Sequence, residues 1–361
     1  DLAALQASAS EIFDRFAASE TFADQWQATL DYVDARRVFT SASELAMVRH
    51  TIDTTDEFYS SEQDFYDENS PKVSELNDKF YTLLLDSQFR AEFSEKLGGH
   101  FFNVIALQKK VFSPEIMDDL AAENALITTY DKLLGGAQVA FRGESYTLAG
   151  LGKFNEDADR ATRHEAQTAA WGFFADNAAE LDRIYDELVA LRHGMARTLG
   201  YDNFVQMGYD RMTRPGYGPS DVANFRAGVQ QFVTPRASQV FAKQRERLGL
   251  DELRYYDVPF KFVTGNPKPQ GDESWMKQRA KTMYDEMAPE TSELFNRLLD
   301  AGLMDLSQKK GKQPGGYCTF LDVADMPFIF SNFNGTSGDV DVLTHEFGHS
   351  FQFYRVRERL L

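Results

Sequence analysis

Cysteine is almost absent from this chain. Cys318 is the single one in 361 residues, so no internal disulfide can form, and a reducing, cytoplasmic setting is expected. Positive charge is also short: 38 Lys and Arg face 56 Asp and Glu, a formal net charge of -18. That balance disfavours non-specific nucleic-acid binding and repels anionic membrane surfaces. Neither nucleic acid nor membrane is therefore expected as a partner. No run of about 20 apolar residues exists, so no transmembrane helix is expected. The chain opens Asp1-Leu2-Ala3-Ala4-Leu5, without Met and without a basic-then-apolar leader, so a trimmed N-terminus is expected.

What is present is ordinary for a soluble globular protein: 43% hydrophobic and 26% charged residues. The length suits one large domain or two. Thirty Phe and fifteen Tyr predict an aromatic core.

Residues 1–134 read as long helices. Glu11 to Phe16 and Leu30 to Val33 carry apolar residues at helical spacing. Ser70-Pro71 predicts a helix start, with Pro in the first turn. The acidic run Asp64 to Glu68 reads as a solvated face. His50 and His100 stand alone and carry no chemistry. Period-two alternation over 139–148, broken by Gly143, predicts a short hairpin. Helix returns over 156–199, where Leu181, Ile184, Tyr185, Leu188 and Leu191 read as a core stripe and Gly200 as the stop. Another long helix runs from Asp221 through Phe225, Val229, Phe232 and Val240 to Leu248-Gly249. A strand is possible near Tyr255 to Val263. Trp275 to Asp300 is helical. Lys309, Lys310 and Lys312 lie in a flexible, solvated loop. Tyr317 to Phe320 and Pro327 to Phe333 read as two strands, with Pro327 at a strand start or edge. Cys318 reads as a small packed residue, not a nucleophile.

The stretch with chemistry in it is Thr336 to Gln352. It contains His345-Glu346-Phe347-Gly348-His349, an H-E-x-x-H motif. Residues four apart on a helix share a face, so His345 and His349 can aim two imidazoles at one point. Zinc takes neutral imidazole nitrogens and, in catalytic sites, keeps one position open. Glu346 sits about 100° round the helix, poorly placed as a ligand but well placed to act as base. Ser337 and Asp339 are N-cap candidates, and Asp339 and Asp341 put negative charge at the positive end of the helix dipole. Val340, Leu343, Phe347 and Phe351 form an apolar stripe.

The extended metzincin pattern fails here, because the positions for its Gly and third His are Gln352 and Arg355. A thermolysin-like site needs a later Glu. The one acidic residue after His349 is Glu358, out of phase on the same helix, so a third ligand is not expected within this chain. Arg357 to Leu361 reads as a helix in mid-course, and continuation beyond Leu361 is expected.

Phe328 to Thr336 followed by the His345-to-Gln352 helix resembles the M3 metallopeptidases, most of all the oligoendopeptidase F branch. Gly315-Gly316-Tyr317-Cys318 resembles that family's Gly-x-Tyr loop before its edge strand. Leu191-Arg192, Ala196, Gly200-Tyr201 and Asn203-Phe204 resemble its first long catalytic helix. The resemblance covers roughly Gly135 onward. It implies a third zinc ligand, a Glu, supplied later than this chain reaches, with oxyanion-stabilising His and Tyr later still. It also implies a bowl that admits short unstructured peptides.

The expected fold is therefore mainly α: a helical bowl-shaped zincin peptidase with a small β-sheet next to the H-E-x-x-H helix. The expected division is 1–185, an N-terminal helical region with the hairpin, and 186–361, the first and incomplete part of a zinc peptidase domain. The expected activity is zinc-dependent endopeptidase hydrolysis of short peptides. One Zn2+ per chain would sit on His345 and His349, with Glu346 catalytic. Gly315, Gly316, Tyr317, Phe333, Asn334 and Gly335 are candidate substrate-binding residues, because an extended peptide can pair with a free strand edge beside the zinc helix. A covered structural edge is the alternative. Rival functions are a non-catalytic peptide-binding relic and a dipeptidyl carboxypeptidase-type zinc peptidase.

Overall fold

The computed structural model describes residues 1–357. It is mainly helical, as expected. The N-terminal part is built on α1 (Leu2–Ala18), α2 (Phe22–Ile52) and α3 (Glu57–Asp86), followed by the short α4 (Arg90–Leu97) and α5 (Gly99–Lys110). Each of the three main helices is capped by an oxygen side chain. Asp1 accepts from Ala3 and Ala4 N–H, Thr21 from Asp24 N–H, and Asp56 from Tyr59 N–H, which satisfies donors that a helix start leaves free. Their shared core is aromatic: Phe16, Tyr32, Phe80 and Phe93 are buried together, with Tyr32 and Phe80 ring centroids 4.5 Å apart.

Ser70-Pro71 is not a helix start. Pro71 lies inside α3. A mid-helix proline leaves the carbonyl four residues back without a donor; here that is Asp67, and Asn124 of the next long helix donates Nδ2 to it at 3.0 Å. Asp67 is also buried, not solvated, and its carboxylate accepts from Thr128 at 2.6 Å. A tertiary contact thus replaces the bond that proline removes.

That next helix is α6 (Met117–Gly135). The predicted hairpin follows as β1 (Val139–Phe141) and β2 (Glu144–Tyr146), antiparallel, then the one-turn α7 (Leu148–Leu151). Next come α8 (Arg160–Asp176), α9 (Ala178–Thr198) and α10 (Phe204–Arg211). Gly200, at φ 83, stops α9 as expected, with Tyr201 N–H returning to Ala196 O. The α9 stripe is not wholly core: Ile184 is buried, but Tyr185 is 69% exposed. α11 (Pro219–Gly228) runs through a π-helical turn, Val229–Val233, into α12 (Thr234–Arg247).

Tyr255–Val263 is not a strand. It is a short 3-10 turn, Tyr255–Asp257, and a loop. Gln244 of α12 donates Nε2 to the carbonyls of Val258 and Phe260 at 3.0 and 2.8 Å. Side-chain donors take up carbonyls that a sheet neighbour would otherwise bond.

α13 (Glu273–Met287) and α14 (Pro289–Asp300) lead into β3 (Met304–Ser307), β4 (Tyr317–Leu321), β5 (Met326–Phe333) and α15 (Gly338–Val356). The sheet order is β3-β5-β4, with β3 parallel and β4 antiparallel to β5. β3 falls outside both predicted strands; its four residues are too short for alternation to show, though Met304 and Leu306 are buried around Asp305. One face of the sheet, with Ile329 and Phe333, packs against Phe295 and Leu298 of α14 and Leu343 and Phe347 of α15. On the other face Phe328 and Phe330 pack against Val48 of α2. α2 and the turn after it also exchange main-chain bonds with the sheet region, Gln313 N–H to Thr51 O at 2.9 Å and Thr54 N–H to Gly311 O at 2.7 Å.

Lys312 is not solvated. Its side chain is buried over the Phe330 ring and donates to Asp305 Oδ1 at 2.6 Å. Burial pulls its pKa down while Asp305 pulls it back up. Among the described residues no helix is long and apolar enough to cross a membrane.

Candidate active site

The site begins where β5 hands over to α15. Ser337 occupies the cap position, but its side chain makes no capping bond. Asp339 does the work, in the reverse direction: it accepts from Asn334 N–H at 3.0 Å and Gly335 N–H at 2.7 Å. Burial raises its pKa, and these backbone donors oppose the rise. The turn closes on Gly335 at φ 87, a conformation that favours glycine. Strand end and helix start are thereby locked together.

Along α15 the 3.6-residue period sorts the side chains. Leu343 and Phe347 are buried, with Phe347 4.0 Å from the Tyr284 ring centroid to centroid. Val340 faces outward rather than completing that stripe. His345 and His349 are exposed, and their Nε2 atoms lie 3.1 Å apart. Glu346 lies between the two faces and is only 7% exposed. Burial raises its carboxyl pKa, partly offset by His345 and His349.

The loop before β4 lies over this turn. A Cβ added at Gly316 would stand 3.2 Å from Val342 Cγ1, 3.3 Å from Phe330 O and 3.6 Å from Glu346 Oε1. Val342 and the Phe330 carbonyl would crowd a side chain here, and the Glu346 carboxylate lies on the same side of the glycine. Gly315 has φ 103 and open space where a Cβ would be. Tyr317 turns to the α2 face, stacked on Phe330 with its hydroxyl 2.7 Å from Thr51 Oγ1. Phe333 is buried in the α14–α15 core. Asn334 donates Nδ2 to Ala149 O at 3.1 Å, while its N–H and that of Gly335 are held by Asp339. Of the six candidate substrate-binding residues, Gly316 is the one that faces the Glu346 carboxylate, with Gly315 next to it in the loop.

Cys318 is a packed residue. Its thiol lies 3.1 Å from Ser350 Oγ, and Ser350 donates to Glu346 O at 3.0 Å. The thiol also reaches Thr319 O at 3.7 Å. Burial pushes the Cys318 thiol up to about 11.

Two imidazole nitrogens about 3 Å apart are spaced as ligands that each lie about 2.0–2.1 Å from one zinc ion. The donor chemistry and the exposed face fit such an ion at His345 and His349. Among the described residues no group of three or more His, Cys, Asp or Glu could hold a metal. Glu358 and the rest of 358–361 lie outside the described residues. Asn332 was missed as a contributor. It donates Nδ2 to Gln313 O at 2.8 Å and Gly315 O at 2.9 Å. A polar amide in the apolar run Phe328 to Phe333 was the available signal, since such a group needs partners.

A mainly helical chain with a small mixed sheet feeding an H-E-x-x-H helix describes a zincin-type metallopeptidase. The model for peptidase family M3 matches residues 154–359, and that for the M3 N-terminal domain matches 1–112; the chain belongs to peptidase family M3. Within the family it is oligoendopeptidase F-like. An X-ray structure provisionally named oligoendopeptidase F is 46% identical, with a TM-score of 0.99 over all of this chain and 64% of its own. A Bacillus anthracis str. Ames protein provisionally so named is 44% identical, with a TM-score of 0.97 over 99% of this chain and 66% of its own. PZ peptidase A, solved with an inhibitor, is 43% identical, with a TM-score of 0.99 over all of this chain and 64% of its own. Oligopeptidase PepF of Bacillus subtilis (strain 168) is 28% identical over 128 residues, 34% of this chain and 18% of that protein. The chain therefore spans less than two thirds of the length of these relatives.

Proposed function

We propose that this chain carries the base and two metal ligands of a zinc-dependent endopeptidase that cuts short unstructured peptides in the cytoplasm. The observation that carries the reading is the pair of exposed Nε2 atoms 3.1 Å apart with the buried carboxylate of Glu346 on the same turn. His345 and His349 would hold one Zn2+, and a Glu from outside the described residues would complete the set. Bound zinc supplies Lewis-acid polarisation of a carbonyl and a lowered water pKa, towards about 7.

The chain's own residues do the rest. Glu346 accepts a proton from the attacking water and returns it to the leaving amine. Its burial suits that task, because an unpaired carboxylate out of water is a stronger base than a solvated one. Ser350 and Leu343 fix the turn that carries it. Gly315 and Gly316 offer a side-chain-free rail, so peptide main chain rather than side chains is recognised. The division at 185/186 is part of this reading: 1–185 forms a wall and 186–361 carries the chemistry.

Zinc content by elemental analysis, paired with cleavage of an internally quenched peptide blocked at both ends, tests the reading. One zinc per chain and chelator-sensitive cleavage are expected. Zinc without cleavage of blocked peptides, but with trimming of free carboxyl ends, would replace it with a dipeptidyl carboxypeptidase. Neither zinc nor cleavage would leave a peptide-binding relic.

A further inference from the structure

Resting on that reading of the site, we propose that Asn332 is a positioning residue for the peptide substrate: its carboxamide holds the Gln313–Gly316 loop against the base and so sets where the substrate main chain lies. In the β4–β5 ladder Tyr317 pairs with Phe330, and β4 begins at Tyr317. Past Phe330, strand β5 has no β4 partner. Asn332 takes over with its side chain, giving one amide proton to Gln313 O at 2.8 Å and the other to Gly315 O at 2.9 Å. Gln313 N–H is bonded on the opposite side to Thr51 O at 2.9 Å. Pro314, Gly315 and Gly316 have no side-chain donor of their own, so the loop depends on these bonds from outside it.

The loop's two sides differ. Its inner side is filled at Gly316, against Val342, Phe330 O and Glu346 Oε1. Its outer side is open at Gly315, where nothing lies within 4 Å of a Cβ position. That open side, one residue along from the glycine that faces Glu346, is where an extended substrate main chain would lie. The far end of the loop is anchored through Cys318 and Ser350 to the same helix turn that carries Glu346. A shift of the loop therefore moves the rail but not the base.

The test uses the zinc-loaded protein from the complete reading frame, with Asn332→Ala and Asn332→Asp. The Asp variant keeps the shape but turns an oxygen toward two carbonyl oxygens. With blocked quenched peptides of increasing length, kcat/KM should fall about tenfold for the longer peptides, chiefly through KM. The shortest peptide should lose little, and zinc content and thermal midpoint should hold. In a Glu346→Gln background, where peptide binds without turnover, Asn332→Asp should weaken binding by the same factor. Equal loss at every length with a lowered midpoint, or no loss with either variant, would overturn the proposal. Turnover by Glu346→Gln alone would instead overturn the reading of the site, and the binding comparison would still decide the role of Asn332.

Discussion

Two buried carboxylates in this protein are treated in opposite ways. Asp257 has a fully buried side chain. It accepts from Arg160 at 2.7 Å, from Arg163 at 2.8 Å and from Arg254 N–H at 2.9 Å. Burial alone would raise its pKa, but the two guanidinium groups bring it down to about 2. Glu346 is nearly as buried, yet no side-chain donor reaches it among the described residues. Burial raises its pKa, and only the two exposed histidines oppose. The difference is in partners, not in depth. A carboxylate saturated with donors is held as a permanent anion and clamps the 250–260 loop to α8. One left with free lone pairs away from water has the surroundings that the proposed general base requires.

The comparison breaks most visibly at Glu346. Glu346→Gln should cut peptide turnover by about 10²–10⁴-fold while zinc stays bound; its thermal midpoint should not fall, since the change removes a buried charge without donors. A variant that keeps its turnover would end the assignment of Glu346 as base. His345→Ala should lose the metal, and tight zinc binding by that variant would argue against His345 as a ligand.

The opposite signature is expected at the clamp. Arg163→Ala leaves Asp257 with one side-chain partner and should cost about 3–5 kcal/mol of stability in urea denaturation, with kcat of the folded fraction unchanged. If kcat falls and stability does not, the two carboxylates have been given the wrong roles.

Acid sharpens the same contrast with a smaller effect. A pKa of about 2 for Asp257, below its unfolded value, gives stability that is present above pH about 4. It is lost as pH falls through about 2, and amounts to about 2 kcal/mol. Asp257→Asn should flatten that part of the acid limb, and an unchanged limb would show that the clamp does not titrate. The smallest effect is expected on the surface. Arg183 bridges Glu180 and Glu187 at 2.6 and 2.8 Å, but all three are exposed, so Arg183→Ala should leave the denaturation midpoint where it was.

Much of this was legible because it is local. The H-E-x-x-H spacing, the hairpin around Gly143 and the stop at Gly200 each follow from a few neighbouring residues and one period. The failures share a cause as well. Pro71 reads as a helix start until Asn124, 57 residues from Asp67, supplies the missing donor. Lys312 reads as solvated until Asp305 and Phe330 surround it. The Asp257 clamp draws on α8 and on Arg254, and nothing near Asp257 announces Arg160 or Arg163.

By itself the sequence determined that His345 and His349 come together, because two histidines four apart on a helix meet whatever the helix packs against. It also determined that the H-E-x-x-H helix is preceded by an apolar strand. Only the tertiary structure decided that Glu346 is dry, that Gly316 lies against it, and that α2 backs the sheet from nearly 300 residues away in the chain (Thr319 on Glu44, a separation of 275). Burial and long-range hydrogen bonds depend on what fills the space around a group, and that is a property of the whole packed chain rather than of any window along it.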